Sequence, residues 1–156
     1  MGLMIWIEGT TLADWVRLSL VGYPMMIACH AIGMAVMVGL AFALDMRLLG
    51  FFRSIPYAAL HRFLGIAWVG FGINFLSGAA LFAAQASSYS TNVVFLSKIG
   101  LVIAGSITAA LLQAAVGRDA NAWNTELAPG NIRLIAVISI VCWLGAIVTG
   151  RLIAYL

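Results

Sequence analysis

The chain has 156 residues, 64% of them hydrophobic and only 8% charged, where a soluble domain carries about 25% charged residues. With a mean hydropathy of +1.10 it reads as an integral membrane protein of one domain, since no Pro/Gly/Ser-rich or charged linker divides it. The formal charge of +3 comes from eight scattered basic residues, which excludes the basic stripe of a nucleic-acid-binding protein and the polybasic cluster of a headgroup reader.

The first segment, "MGLMIWIEGTTLADWV", lacks the basic n-region and small-residue cleavage site of a signal peptide, so it is expected to be retained. Thr11 with Asp14 three positions on resembles a capping box, and Trp6 and Trp15 suit the water–lipid boundary. These features predict a short interfacial helix over about 10–17, leading into the first span.

A transmembrane helix needs about 20 mostly apolar residues, and the stretches between charges supply four. They run from about Leu18 to Leu49, Ile55 to Gln85, Val93 to Val116 and Asn131 to Leu156. The expected fold is an all-α, four-helix transmembrane bundle. "GFFRSIP" joins spans one and two, with Ser54 a candidate N-cap and Pro56 in a first helical turn. "ASSYSTN" and "GRDANAWNTELAPGN" form the other two connections.

Arg47, Arg53 and Arg62 flank the first loop, Arg118 and Arg133 the third, and the second loop carries no charge. The positive-inside rule then places loops one and three in the cytoplasm and both termini outside. Arg17, Lys98 and Arg151 fall on the other side, each near a helix end from which it can snorkel, with Glu8 and Asp14 to offset them.

Antiparallel spans can be aligned by depth at about 1.5 Å per residue. Measured from the first loop, Asp45 lies level with His61 and Arg62, which predicts an interhelical ion pair at the inner boundary; the alternative is an Asp45 that faces water or headgroups. His30 lies about 30 Å along span one from Gly50, while His61 is about 9 Å into span two, so one haem cannot take both as axial ligands within a chain. The same ruler sets Asn74 or Phe75 opposite His30, with Ser106 and Thr149 at a similar level. A polar layer of His30, Asn74, Ser106 and Thr149 is therefore expected.

Polar groups in hydrocarbon turn inward and bond to one another or to backbone. The layer accordingly reads as a helix fastener, as a cofactor or quinone pocket, or as a proton or ion path. No Asp or Glu lies well inside a span, which argues against a pump or channel. Met25, Met26, Met34 and Met37 surround His30, and methionine can ligate haem or copper. Met34, however, follows His30 by one turn on the same face and cannot clamp a haem from the opposite side, so gap-filling packing is the expected role. Cys29 and Cys142 read as small hydrophobes. Glycines at 33, 39, 65, 70, 72, 78, 100, 105, 145 and 150 permit close helix approach, in a tight bundle or an oligomer. No nucleophile, base and orienting acid can be assembled, so the chain does not read as an enzyme.

Two stretches carry a resemblance: "HAIGMAVMVGLAFALDMRLLG" (30–50) and "FLSGAALFAAQASSYSTNVVFLSKIGL" (75–101). Their pattern is similar to a family of small, functionally uncharacterised bacterial four-span membrane proteins, over roughly residues 15 to 115. The motif residues are His30, Gly33, Asp45, Arg47, Gly50, Gly78, Phe82, Asn92, Phe95 and Lys98, with Ser77 standing where the family more often has threonine. The resemblance implies a bacterial inner-membrane location and a four-helix fold, and brings no activity or cofactor with it. The expected function is an accessory or structural subunit, or a bundle that binds an apolar ligand at the His30 layer. The competing class is a haem-b or quinone-binding electron-transfer subunit. A symmetric dimer would bring two His30 residues to one depth and make His30 a haem ligand, provided that His30 faces out of its own bundle.

Overall fold

The computed structural model describes residues 2–123, 127–153 and 155, with the side chains of 119–122 left aside. The described residues form helices only: α1 (Gly2–Glu8), α2 (Thr11–Leu18), α3 (Gly22–Leu48), α4 (Tyr57–Ala84), α5 (Ala86–Thr91), α6 (Val93–Trp123) and α7 (Gly130–Leu152). Helices α3, α4, α6 and α7 are each long and apolar enough to cross a bilayer. Only 28% of the most apolar stretch of each is buried within the protein, so the remaining apolar surface must be covered by lipid. The protein is a multi-pass membrane protein, a bundle of four spans with a short N-terminal helical segment.

The spans pair as two hairpins, α3 on α4 and α6 on α7, and α3–α7 and α4–α6 contacts close the ring. The core lies toward the C-terminal end of α3. Met37, Ala41, Leu44 and Leu48 of α3 meet Tyr57, Leu60, Leu64 and Ala67 of α4, Leu112 and Val116 of α6, and Ala136 and Trp143 of α7. Toward the other end a smaller cluster joins Val16 of α2 to Ala80 and Ala84 of α4. That contact lays the N-terminal segment against the bundle, and Glu8 strengthens it by accepting from the Ser87 backbone N–H of α5 at 2.8 Å.

Several helix ends differ from the sequence expectation. The N-cap of α2 is Thr10, whose hydroxyl accepts from the Ala13 N–H; with two threonines in a row, the first wins because it also donates to Ile7 O. Span one begins at Gly22 rather than Leu18, because Ser19 Oγ accepts from the Val21 and Gly22 N–H groups and breaks the chain between α2 and α3. At its far end α3 stops in a Schellman motif: the Gly50 N–H donates to Arg47 O and the Phe51 N–H to Met46 O. Gly50 sits there at φ 99°, a left-handed conformation natural to glycine. Pro56, not Ser54, caps α4, without a side-chain bond. The "ASSYSTN" connection holds a short helix, and α6 runs on to Trp123 past the expected end at Val116. The fourth span was expected to reach Leu156; Ala154 and Leu156 lie outside the described residues, and α7 ends at Leu152.

The α3/α4 contact depends on glycine. A Cβ on Gly33 would stand 2.6 Å from both Asn74 N and Gly70 O, and one on Gly70 would stand 2.9 Å from the Val36 side chain. Gly39, by contrast, has nothing within 4 Å of such a Cβ. Gly33→Ala is therefore expected to cost about 1–3 kcal/mol through overpacking, while Gly39→Ala is tolerated or gains up to about 1 kcal/mol from helix propensity. Thermal unfolding of the two variants in detergent checks the contrast.

Candidate functional site

The polar residues meet near the N-terminal end of α3. His30 Nδ1 lies 2.9 Å from Asn74 O, and the Asn74 side-chain amide donates back to His30 O at 2.8 Å. Because a carbonyl only accepts, Nδ1 carries the ring proton and Nε2 the lone pair. Lys98 Nζ, 3.4 Å from Nε2, donates to that lone pair. Ser77 Oγ stands 3.4 Å from Nδ1 and donates to Ile73 O at 2.6 Å, so the hydroxyl is satisfied by its own helix. Three helices thus converge on one imidazole. Its edge lies against Gly78, where a Cβ would come within 2.9 Å of Cε1, and a Cβ on Gly150 of α7 would stand 3.4 Å from Lys98 Cε.

This cluster corrects the expected layer. Asn74 is opposite His30 as the depth ruler required. Ser106 instead donates to Val102 O at 2.8 Å, and Thr149 to Gly145 O at 2.8 Å, each within its own helix. A hydroxyl in a span readily takes the carbonyl one turn back, so these two need no interhelical partner. Lys98 and Ser77 take their places. The depth comparison set Cα atoms level with one another and so passed over Lys98, whose four-carbon stem spans the height difference.

The remaining motif residues build the frame around this cluster and the first loop. Asn92 Oδ1 caps α6 by accepting from the Val94 and Phe95 N–H groups at 2.9 and 3.0 Å. Phe95, one turn on, stacks on Phe82 of α4 and on Tyr89 of α5, with ring centroids 5.5 and 5.2 Å apart. Burial, and behind it the neighbouring Tyr23, hold the Tyr89 phenol above its usual range, so that ring stays neutral in the stack. At the opposite end Arg47, 3% exposed, donates from Nε to Ile55 O at 2.8 Å and from Nη1 to Tyr57 OH at 3.3 Å. Its guanidinium carbon also lies 4.2 Å from the Tyr57 ring centre, a cation–π contact that straps the first loop to α3.

Asp45 does not pair with His61 or Arg62. The only ion pair among the described residues is Arg17–Asp14, at 2.7 Å. The buried stripe of α4 is Tyr57, Leu60, Leu64 and Ala67; Arg62 is exposed off that stripe, and His61 turns toward Gly117 of α6. A bond that sequence reading missed joins mid-bundle α4 and α6: Trp68 Nε1 donates to Gln113 Oε1 at 2.6 Å. The lone amide of Gln113 within an apolar run was the available signal.

Haem ligation by His30 does not fit this geometry. An axial ligand offers one ring nitrogen to open space, whereas here Nδ1 is bonded to Asn74 and Nε2 faces the Lys98 ammonium. The symmetric dimer needed an outward His30, and the ring points inward. Compared with known proteins, the chain matches no family model, no curated protein and no solved structure.

His30→Ala leaves Asn74 O without its donor and opens a gap at Gly78, so it should cost about 1–3 kcal/mol, the penalty of an orphaned buried acceptor. Ser106→Ala removes only a bond within its own helix and should stay within about 0.5 kcal/mol of the parent. Equal losses in the two variants, measured by unfolding in detergent, would restore the four-residue layer.

Proposed function

We propose that this protein is a non-enzymatic accessory or structural subunit of a bacterial inner-membrane assembly, a bundle whose His30 cluster fastens the spans. The observation that carries this reading is the engagement of His30 on both ring nitrogens by residues of its own chain. An imidazole so occupied is a fastener; a reactive or ligating one keeps a nitrogen free. The motif resemblance supports the bacterial location, and the arginines around loops one and three support both termini lying outside the cytoplasm. The many small residues on the spans support assembly with a second copy or another subunit.

A quinone, or another apolar ligand with a carbonyl, is the second reading. It is favoured by the Lys98 ammonium, which meets no carboxylate among the described residues and has N–H groups beyond the one directed at His30.

Protein purified in mild detergent from haem-replete cells should show no Soret band, oxidised or dithionite-reduced, and its organic extract should hold no stoichiometric quinone. About one quinone per chain, lost in Lys98→Met, would replace the structural reading with the electron-transfer one. A reporter fused after Leu156 should be active only outside the cytoplasm, and cytoplasmic activity would reverse the orientation.

A further inference from the structure

Each polar or charged motif residue described above has a partner except Asp45. It is 1% exposed, and its Oδ2 has no hydrogen-bond partner. Ser139 of α7 is the hydroxyl that acts on this carboxyl; it is 0% exposed, and its Oγ also has no partner. Asp45 Oδ2 and Ser139 Oγ are two of the three buried polar atoms without a partner among the described residues; the third, Trp143 Nε1, lies one turn along α7 from Ser139. Ser139 is the one hydroxyl that acts on the Asp45 carboxyl from a neighbouring helix, and both groups are fully buried.

The occupant is not a cationic side chain. Arg47, two residues along α3, is committed to Ile55 O and Tyr57. His61 of α4 lies against Gly117, while Arg62 of α4, Arg118 of α6 and Arg133 of α7 are exposed. Lys98 and His30 are at the other end, and the 15 residues from His30 to Asp45 correspond to about 22 Å of helix. An ionised carboxylate fully buried without a cation costs several kcal/mol, whereas a neutral acid bonded to a hydroxyl costs little.

We propose that Asp45 and Ser139 form a proton-binding site between α3 and α7. The carboxylate takes one proton from hydronium, releasing water, and its new O–H donates to Ser139 Oγ, so that each of the two groups gains a partner. The site is independent of the His30 cluster and stands whether that cluster is a fastener or a ligand pocket.

Infrared spectroscopy of the full-length protein in lipid nanodiscs tests the proposal. Ordinary carboxyl groups titrate near about pH 4, so at pH 7 the wild type should retain the acid C=O band of a single carboxyl. The band should be absent from Asp45→Asn, which is isosteric with the neutral acid, and should shift in Ser139→Ala. Should the asparagine variant not fold, the wild-type spectrum decides alone: no acid band at pH 7 overturns the proposal. A band that persists in Asp45→Asn belongs to another carboxyl and overturns it too, as does a band unmoved in Ser139→Ala for the pairing. A band that appears only when sodium is replaced by choline would make the occupant a sodium ion instead of a proton.

Discussion

The close approach of α3 and α4 at Gly33 and Gly70 is the constraint on which the rest of the structure depends. Between helices in lipid there is no hydrophobic driving force, so association rests on van der Waals contact and on polar bonds made across the seam. The seam supplies both. With no side chain at Gly33, the backbones come near enough for His30 and Asn74 each to bond the other's main-chain carbonyl, which fixes the axial register of one helix against the other. Once the imidazole is held, Gly78 gives its edge room, and Nε2 becomes a fixed acceptor for Lys98. Helix α6 is then set by three residues at successive turns: Asn92 starts it, Phe95 stacks it on α4, and Lys98 ties it to α3.

Composition and span length were enough to read the membrane class, the all-helical fold and the four spans, because each rests on bilayer thickness and hydropathy alone. The pairing of Asn74 with His30 was legible for a similar reason: the rise per residue is fixed, and the short first loop leaves little slack between the two helices. Lys98 was not legible, since a long side chain adds a reach that Cα heights do not carry. Ser106 and Thr149 looked like partners only by level; a carbonyl one turn back in their own helices satisfied each of them first. The Asp45 pairing failed on rotation. Depth sets His61 and Arg62 level with Asp45, but rotation about α4 is decided by which stripe packs, and Tyr57, Leu60, Leu64 and Ala67 claimed the face toward the core.

Charge inside the bundle is met differently at its two ends. Lys98 and Asp45 are opposite in sign and would neutralise one another if they met, yet the length of α3 between His30 and Asp45 keeps them apart. Each therefore needs a local solution. For Lys98 it is a neutral imidazole whose tautomer is set by Asn74, so the lone pair rather than the N–H faces the ammonium; a ring flipped to the other tautomer would oppose one donor with another. For Asp45 no cation is offered, and Ser139 is as unsatisfied as the carboxyl itself. A proton removes the buried charge and lets the carboxyl donate to the Ser139 oxygen. On that basis the bundle holds its cation and its acid by the same device, a hydrogen bond to a neutral partner in place of an ion pair, which spares it the cost of bringing two charges together in hydrocarbon.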